Sequence, residues 1–179
     1  MLRQAGIEPD LVAPPEIDET ALPKELPRPL AARLAQAKAE AGAARHGDAY
    51  ILAADTVVAV GRRVLPKPAD RAAAKDCLLT LSGRRHRVHT AIAVVTPDHR
   101  QVGRTVTTIV TFKRLDAQEI QGYLASGQWQ GKAGGYAVQG LAERFVTRLN
   151  GSYSNVVGLP LRDTVGLLAG LGFPVWPDA

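Results

Sequence analysis

Apolar positions along this chain switch between two spacings, and the switches mark its elements. Over residues 29–45, Leu30, Leu34, Ala37, Ala41 and Ala44 recur at helical spacing, which predicts an amphipathic helix with Pro29 in its first turn. Lys38 falls at the edge of that stripe. From there its stem either lies along apolar surface with the ammonium in an adjoining cleft, or is simply a snorkelling surface lysine. The spacing then shortens. Residues 50–52 and 57–60 are runs of strand formers flanking Ala53, Ala54, Asp55 and Thr56, with a turn expected at Gly61. A second helix is predicted over residues 70–81, with Ala74, Cys77, Leu78 and Leu81 inward and Ser82-Gly83 as its stop. Strands over residues 88–95 and 102–112 are joined by a hairpin turn at Pro97-Asp98. Asp116 and Glu119 have capping-box spacing and open a helix that ends near Gly127. A strand over residues 144–149, a turn at Asn150-Gly151 and a helix over residues 161–171 close the pattern. Strands alternating with helices around a long central hairpin predict an α/β fold with a mixed sheet.

The first residues fit this pattern less well. Residues 1–7 read as the last turn of a helix capped by Gly6. Prolines at 9, 14, 15, 23, 27 and 29 then predict an extended, surface-hugging segment that contains the acidic cluster Glu16-Ile17-Asp18-Glu19. Such a cluster is ordinarily solvated loop; a metal or catalytic role for Glu19 is the alternative.

Composition narrows the picture. The 179 residues suit one domain, and 46% hydrophobic content with only 5% aromatics predicts a core of Ala, Val and Leu. A secretion signal and a long apolar run are both absent, and the lone Cys77 offers neither a disulfide framework nor a metal cluster, so a cytoplasmic setting without membrane attachment is expected. A formal charge of +5 favours anionic partners. The basic residues are dispersed and no nucleic-acid-reading motif is visible, so a small polyanion such as a nucleotide suits the charge and nucleic acid is not expected.

Two stretches carry candidate chemistry. Asp55 lies inside an apolar strand region, where a carboxylate is costly unless paired, and Lys67 follows between two prolines. A carboxylate at a strand end with a pinned lysine nearby is one way to hold a phosphate and its metal; a turn aspartate beside a surface lysine is the other reading. Residues 131–140 place four glycines around Lys132, Tyr136 and Gln139, which suggests backbone brought close to a ligand, without the spacing of a P-loop or dinucleotide fingerprint.

Taken in order, AADT (53–56), LPKP (65–68), LSGRRH (81–86), KAGGYAVQG (132–140) and NGSYSNVVGLP (150–160) resemble the Maf family of nucleoside triphosphate pyrophosphatases over essentially the entire chain. The resemblance implies an elongated, two-lobed α/β fold like that of inosine-triphosphate pyrophosphatases, with helices flanking the sheet. It implies cleavage of a nucleoside triphosphate substrate to monophosphate and pyrophosphate with a divalent cation, Mg2+ or Mn2+. By position Asp55 corresponds to the proton acceptor, Lys38 and Lys67 to phosphate-side lysines, and Glu19 to the acidic residue of the early loop. Thr56 and Gln139 correspond to positions of base selection, closer to the branch acting on dTTP and UTP. Family members open with a strand and a Ser- and Arg-containing loop that would precede Met1. A start assigned too late is the favoured account, and the chain as written is expected to hydrolyse nucleotides poorly. A non-catalytic nucleotide-binding regulator of septum formation is the second hypothesis, and homodimerisation is left open.

Overall fold

A computed structural model describes residues 1–176. Five strands form one sheet in the order β2-β1-β3-β4-β5, with β1 Ile51–Val60, β2 Arg63–Leu65, β3 Arg85–Val95, β4 Gln101–Phe112 and β5 Val146–Asn150. The α/β class is as expected. The pairings, however, are all antiparallel among the described strands. Alternating elements suggest parallel crossovers, but the turns at Gly61 and Pro97-Asp98 make tight hairpins, and α2 (Arg71–Leu81) returns the chain antiparallel to β1.

Side-chain alternation assigns the two faces. On β3, Ala91, Ala93 and Val95 point one way, and α1 (Pro27–Ala43) packs there through Leu30, Ala31, Leu34, Ala35 and Ala39. This helix starts at Pro27, two residues before the sequence signal; both prolines sit in the first turn, where no backbone donor is needed. Its buried stripe drifts from the predicted one after Leu34. Ala35 and Ala39 are buried, whereas Ala44 lies beyond the helix and is exposed.

The opposite face is covered in two parts. At one end Val58, Val88, Val110 and Phe112 meet α2 and α3 (Ala117–Ala125), with Cys77 packed as a small hydrophobe. At the other end Val94 meets Leu168 of α5 (Leu161–Gly170) and Ile7, next to the opening 3-10 turn closed by Gly6. Between these two cores, the same face carries Thr56 and Thr90, paired across β1 and β3. The short helix α4 (Tyr153–Val157), capped by Ser152, lies against β3 and β4. The strand expected from residue 144 begins at Val146, because Leu141–Phe145 first makes a 3-10 turn that buries Phe145.

β2 pairs only with Val58–Val60 of β1. The stretch from Ile51 to Val57 is therefore the outer edge of the sheet among the described strands. That open edge carries the candidate chemistry.

Candidate functional site

Asp55 is in the middle of a continuous ten-residue β1, not at a strand end. Its neighbours Ala53 and Ala54 are weak strand formers, yet the full register with β3, Asp55 opposite Ala91, carries the strand through them. Alternation turns Asp55 toward α1 and Thr56 toward the other face. One dipeptide thus serves both sides of the sheet edge.

On the α1 side, Lys38 approaches Asp55 from the stripe edge its spacing predicted. Its Nζ donates to Asp55 Oδ1 at 2.6 Å and lies 2.6 Å from Glu19 Oε1. Glu19 also accepts from Lys67 Nζ at 3.3 Å. The four groups form a chain of alternating charge running from a nearly buried carboxylate, 8% exposed, to a lysine whose side chain is 54% exposed. Burial opposes the Lys38 charge, but bonds to Asp55 and Glu19 outweigh it and hold the ammonium pKa above its ordinary value. The hydrogen bond from Lys38 holds the Glu19 carboxyl below its usual range, against a smaller burial effect. Glu19 itself is carried by the proline-rich segment. That segment is tied to α1 by Arg33, which donates to both oxygens of Glu25 and to the Thr20 carbonyl.

A cleft of about 240 Å³ opens along this edge. Lys38, Lys67 and Lys132 bring three cations to it, Asp55 and Thr56 form part of its floor, and Gln139 lies on the glycine-rich side. That side is fixed close to β1. Gly134 has φ +67°, its N–H donates to the Pro66 carbonyl at 3.1 Å, and a Cβ there would lie 2.8 Å from Val58 Cγ1. A larger hollow of about 450 Å³ beside α3 has one cation, Arg144, and its carboxylate, Glu119, is held by Lys113 and the helix cap. A polyanion is matched by the smaller cleft.

Five of the six residues singled out by sequence, Lys38, Asp55, Thr56, Lys67 and Gln139, therefore line one cleft, and the sixth, Glu19, joins it through both lysines. The structure adds Lys132 and Tyr136. Both stood inside the glycine-rich stretch, but a lysine between flexible residues gives no direction for its charge. Tyr136 is buried with its hydroxyl 2.7 Å from His86 Nε2, and burial raises its pKa. It also adds a polar support beneath Thr56, made of Thr90 and Asn155. In the sequence that support is visible only as the serine- and asparagine-rich stretch 152–155, with no sign of its partner on β3.

Residues 1–171 match the family described as Maf-like protein. The chain is 60% identical over 173 residues to a protein of Paramagnetospirillum magneticum named dTTP/UTP pyrophosphatase, covering 97% of this chain and 91% of the relative. Proteins of the same name from Rhodospirillum rubrum and Maricaulis maris are each 58% identical, over 97% and 98% of this chain and 82% and 84% of their own lengths. A solved nucleoside-triphosphatase / dITP/XTP pyrophosphatase of Mycobacterium abscessus aligns with 95% of this chain and 84% of its own at 20% identity. Its TM-score of 0.43 is below the level at which a shared fold follows.

Proposed function

This chain belongs to the Maf-like protein family, and we propose that it is a nucleoside triphosphate pyrophosphatase, with dTTP and UTP as its preferred substrates. The observation that carries the reading is the Lys38 ammonium bridging Asp55 and Glu19 at the edge of a three-lysine cleft. The names of relatives at 58–60% identity supply the substrate class.

The residues fit this reaction in distinct ways. Water adds across the anhydride between the α- and β-phosphates, one P–O bond forms and one breaks, and pyrophosphate leaves. Asp55 is the proton acceptor for that water: Lys38 occupies Oδ1, and the other oxygen is left to take the proton. Lys38, Lys67 and Lys132 set positive charge against the phosphate oxygens, acting as point charges rather than bidentate clamps. Thr56 and Gln139 face the base; the glutamine amide carries both a donor and an acceptor.

Asp55 and Glu19 are hard carboxylate donors that already converge on a cation, the Lys38 ammonium. That donor set fits Mg2+ or Mn2+, which bind through one or two carboxylates and substrate phosphates. Glu19 would hold the ion together with the substrate phosphates, leaving Asp55 free to take the proton, and the ion would supply charge neutralisation on the phosphates.

Pyrophosphate release from dTTP and UTP with Mg2+ tests the reading. The chain should release pyrophosphate and the monophosphate in equal amounts, and Asp55→Asn should lower the rate by about 10²- to 10⁴-fold. Equal rates for the two proteins would remove Asp55 from the role of base.

A further inference from the structure

Thr56 reaches the cleft with its hydroxyl already bonded on its inner side. Its Oγ1 is 2.9 Å from Thr90 Oγ1. Thr90 is fully buried, and its Oγ1 lies 2.8 Å from the backbone carbonyl oxygen of Asn155. Two oxygens at that separation require a proton between them, and a carbonyl has none to give. The single Thr90 proton is therefore directed at Asn155. Thr90 can only accept in its contact with Thr56, and the Thr56 proton points inward to it.

The carbonyl that sets this direction is held firmly. Asn155 is fully buried, and its Nδ2 donates to the Val88 carbonyl at 3.1 Å and to Thr108 Oγ1 at 3.0 Å. The amide orientation follows, since the flipped side chain would set its oxygen against the Val88 carbonyl. Thr108 in turn accepts from the Ser152 N–H at 3.0 Å, which fixes the start of α4. The Asn155 carbonyl also accepts from the Gly158 N–H at 3.1 Å, and Gly158 lies beside Thr56, where a Cβ would be in ordinary contact with Thr56 Oγ1 at 3.5 Å.

We propose that Thr90, directed by the Asn155 carbonyl, is a positioning residue that orients the Thr56 hydroxyl so that it meets the base only as a hydrogen-bond acceptor. This deepens the proposed function and rests on it. An acceptor suits a base whose ring nitrogen carries a proton, as N3 does in thymine and uracil. It opposes a base whose N3 is itself an acceptor, as in cytosine. Selection for the imide face is thereby set from beneath the sheet surface by a residue that does not touch the substrate.

The experiment compares steady-state hydrolysis of UTP and CTP by the wild-type chain and by Thr90→Val, which keeps the shape and removes the hydroxyl. The Thr56 proton is then free to turn outward and meet cytosine N3. The ratio of kcat/KM for UTP over CTP should fall by about tenfold, the worth of one hydrogen bond, mainly through KM for the two nucleotides. Thr90→Ser should restore the wild-type ratio. Thermal unfolding of each variant reports folding, and Thr90→Ala replaces Thr90→Val if the latter does not fold. Thr56→Val should lose the same discrimination with Thr90 intact. An unchanged ratio in a folded Thr90→Val or Thr90→Ala protein, or in Thr56→Val, overturns the proposal. A wild-type chain that releases no pyrophosphate from either nucleotide refutes instead the pyrophosphatase reading on which it stands.

Discussion

Lys38 joins the carboxylates of Asp55 and Glu19. With its side chain only 15% exposed, its removal would leave Asp55 as a nearly buried carboxylate without a counter-charge. Lys38→Met should therefore lower stability by about 2 kcal/mol, the scale of a lost charged hydrogen bond. Adding Asp55→Asn, which removes the stranded charge, should recover part of that loss, so the two effects are not additive. Urea unfolding of the two single variants and the double variant measures the coupling. The bridge also has a defined pH window. Glu19 has a lowered pKa, so its contribution is complete above the ordinary value of 4.5 and disappears as pH falls through the lowered one. Lys38 has a raised pKa, so its contribution holds below 10.5 and disappears as pH rises through the raised value.

Among the elements, the glycine-rich stretch 131–140 depends on close approach to β1. Gly134 combines a left-handed backbone with a distance that leaves no room for a side chain against Val58. Its N–H bond to Pro66 also links the loop to the proline-flanked turn that carries Lys67. Gly134→Ala should push the loop off β1, costing about 1–3 kcal/mol in strain and overpacking. Because Lys132 and Gln139 are carried by this loop, KM for the nucleoside triphosphate should rise more than kcat falls. Thermal unfolding with steady-state kinetics distinguishes the two effects. The helices depend on more local signals: α3 has the capping box that Asp116 and Glu119 predict, with both reciprocal bonds present.

For the whole molecule, the core beneath the cleft contains a titratable group that must stay neutral. His86 is 2% exposed, edge-on to Phe112 and Tyr136, and burial pushes its pKa down to about 4. The unfolded chain takes up a proton at this residue below its ordinary 6.5, whereas the folded chain does so only near 4. Stability should therefore decline as pH falls through that interval, by about 3 kcal/mol in total, and the His86 effect should level off below it. His86→Gln, which can still bond the Tyr136 hydroxyl, should show a shallower decline in denaturation midpoint between pH 7 and pH 4.5. An equal slope in the two proteins would place the acid sensitivity elsewhere.

The sequence alone determined the α/β class, most element positions and the residues of the candidate site, because periodicity, caps and turns are local signals and the five motifs occur in one order. Residue type and spacing left Asp55, Lys38 and Lys67 open between site and surface roles, and the resemblance carried by the five motifs singled them out. Only the tertiary structure decided that β1 runs unbroken through Ala53–Thr56, that the described strands pair antiparallel, and that Asp55 and Thr56 open onto opposite faces of what is the sheet edge among the described strands. Those outcomes depend on register with β3, which a single strand does not encode. The bonds beneath Thr56 were equally hidden: Thr90 lies 34 positions from Thr56 and 65 from Asn155. A hydroxyl's direction is fixed by whatever folding brings against it, and that is a property of the packed chain rather than of the residue.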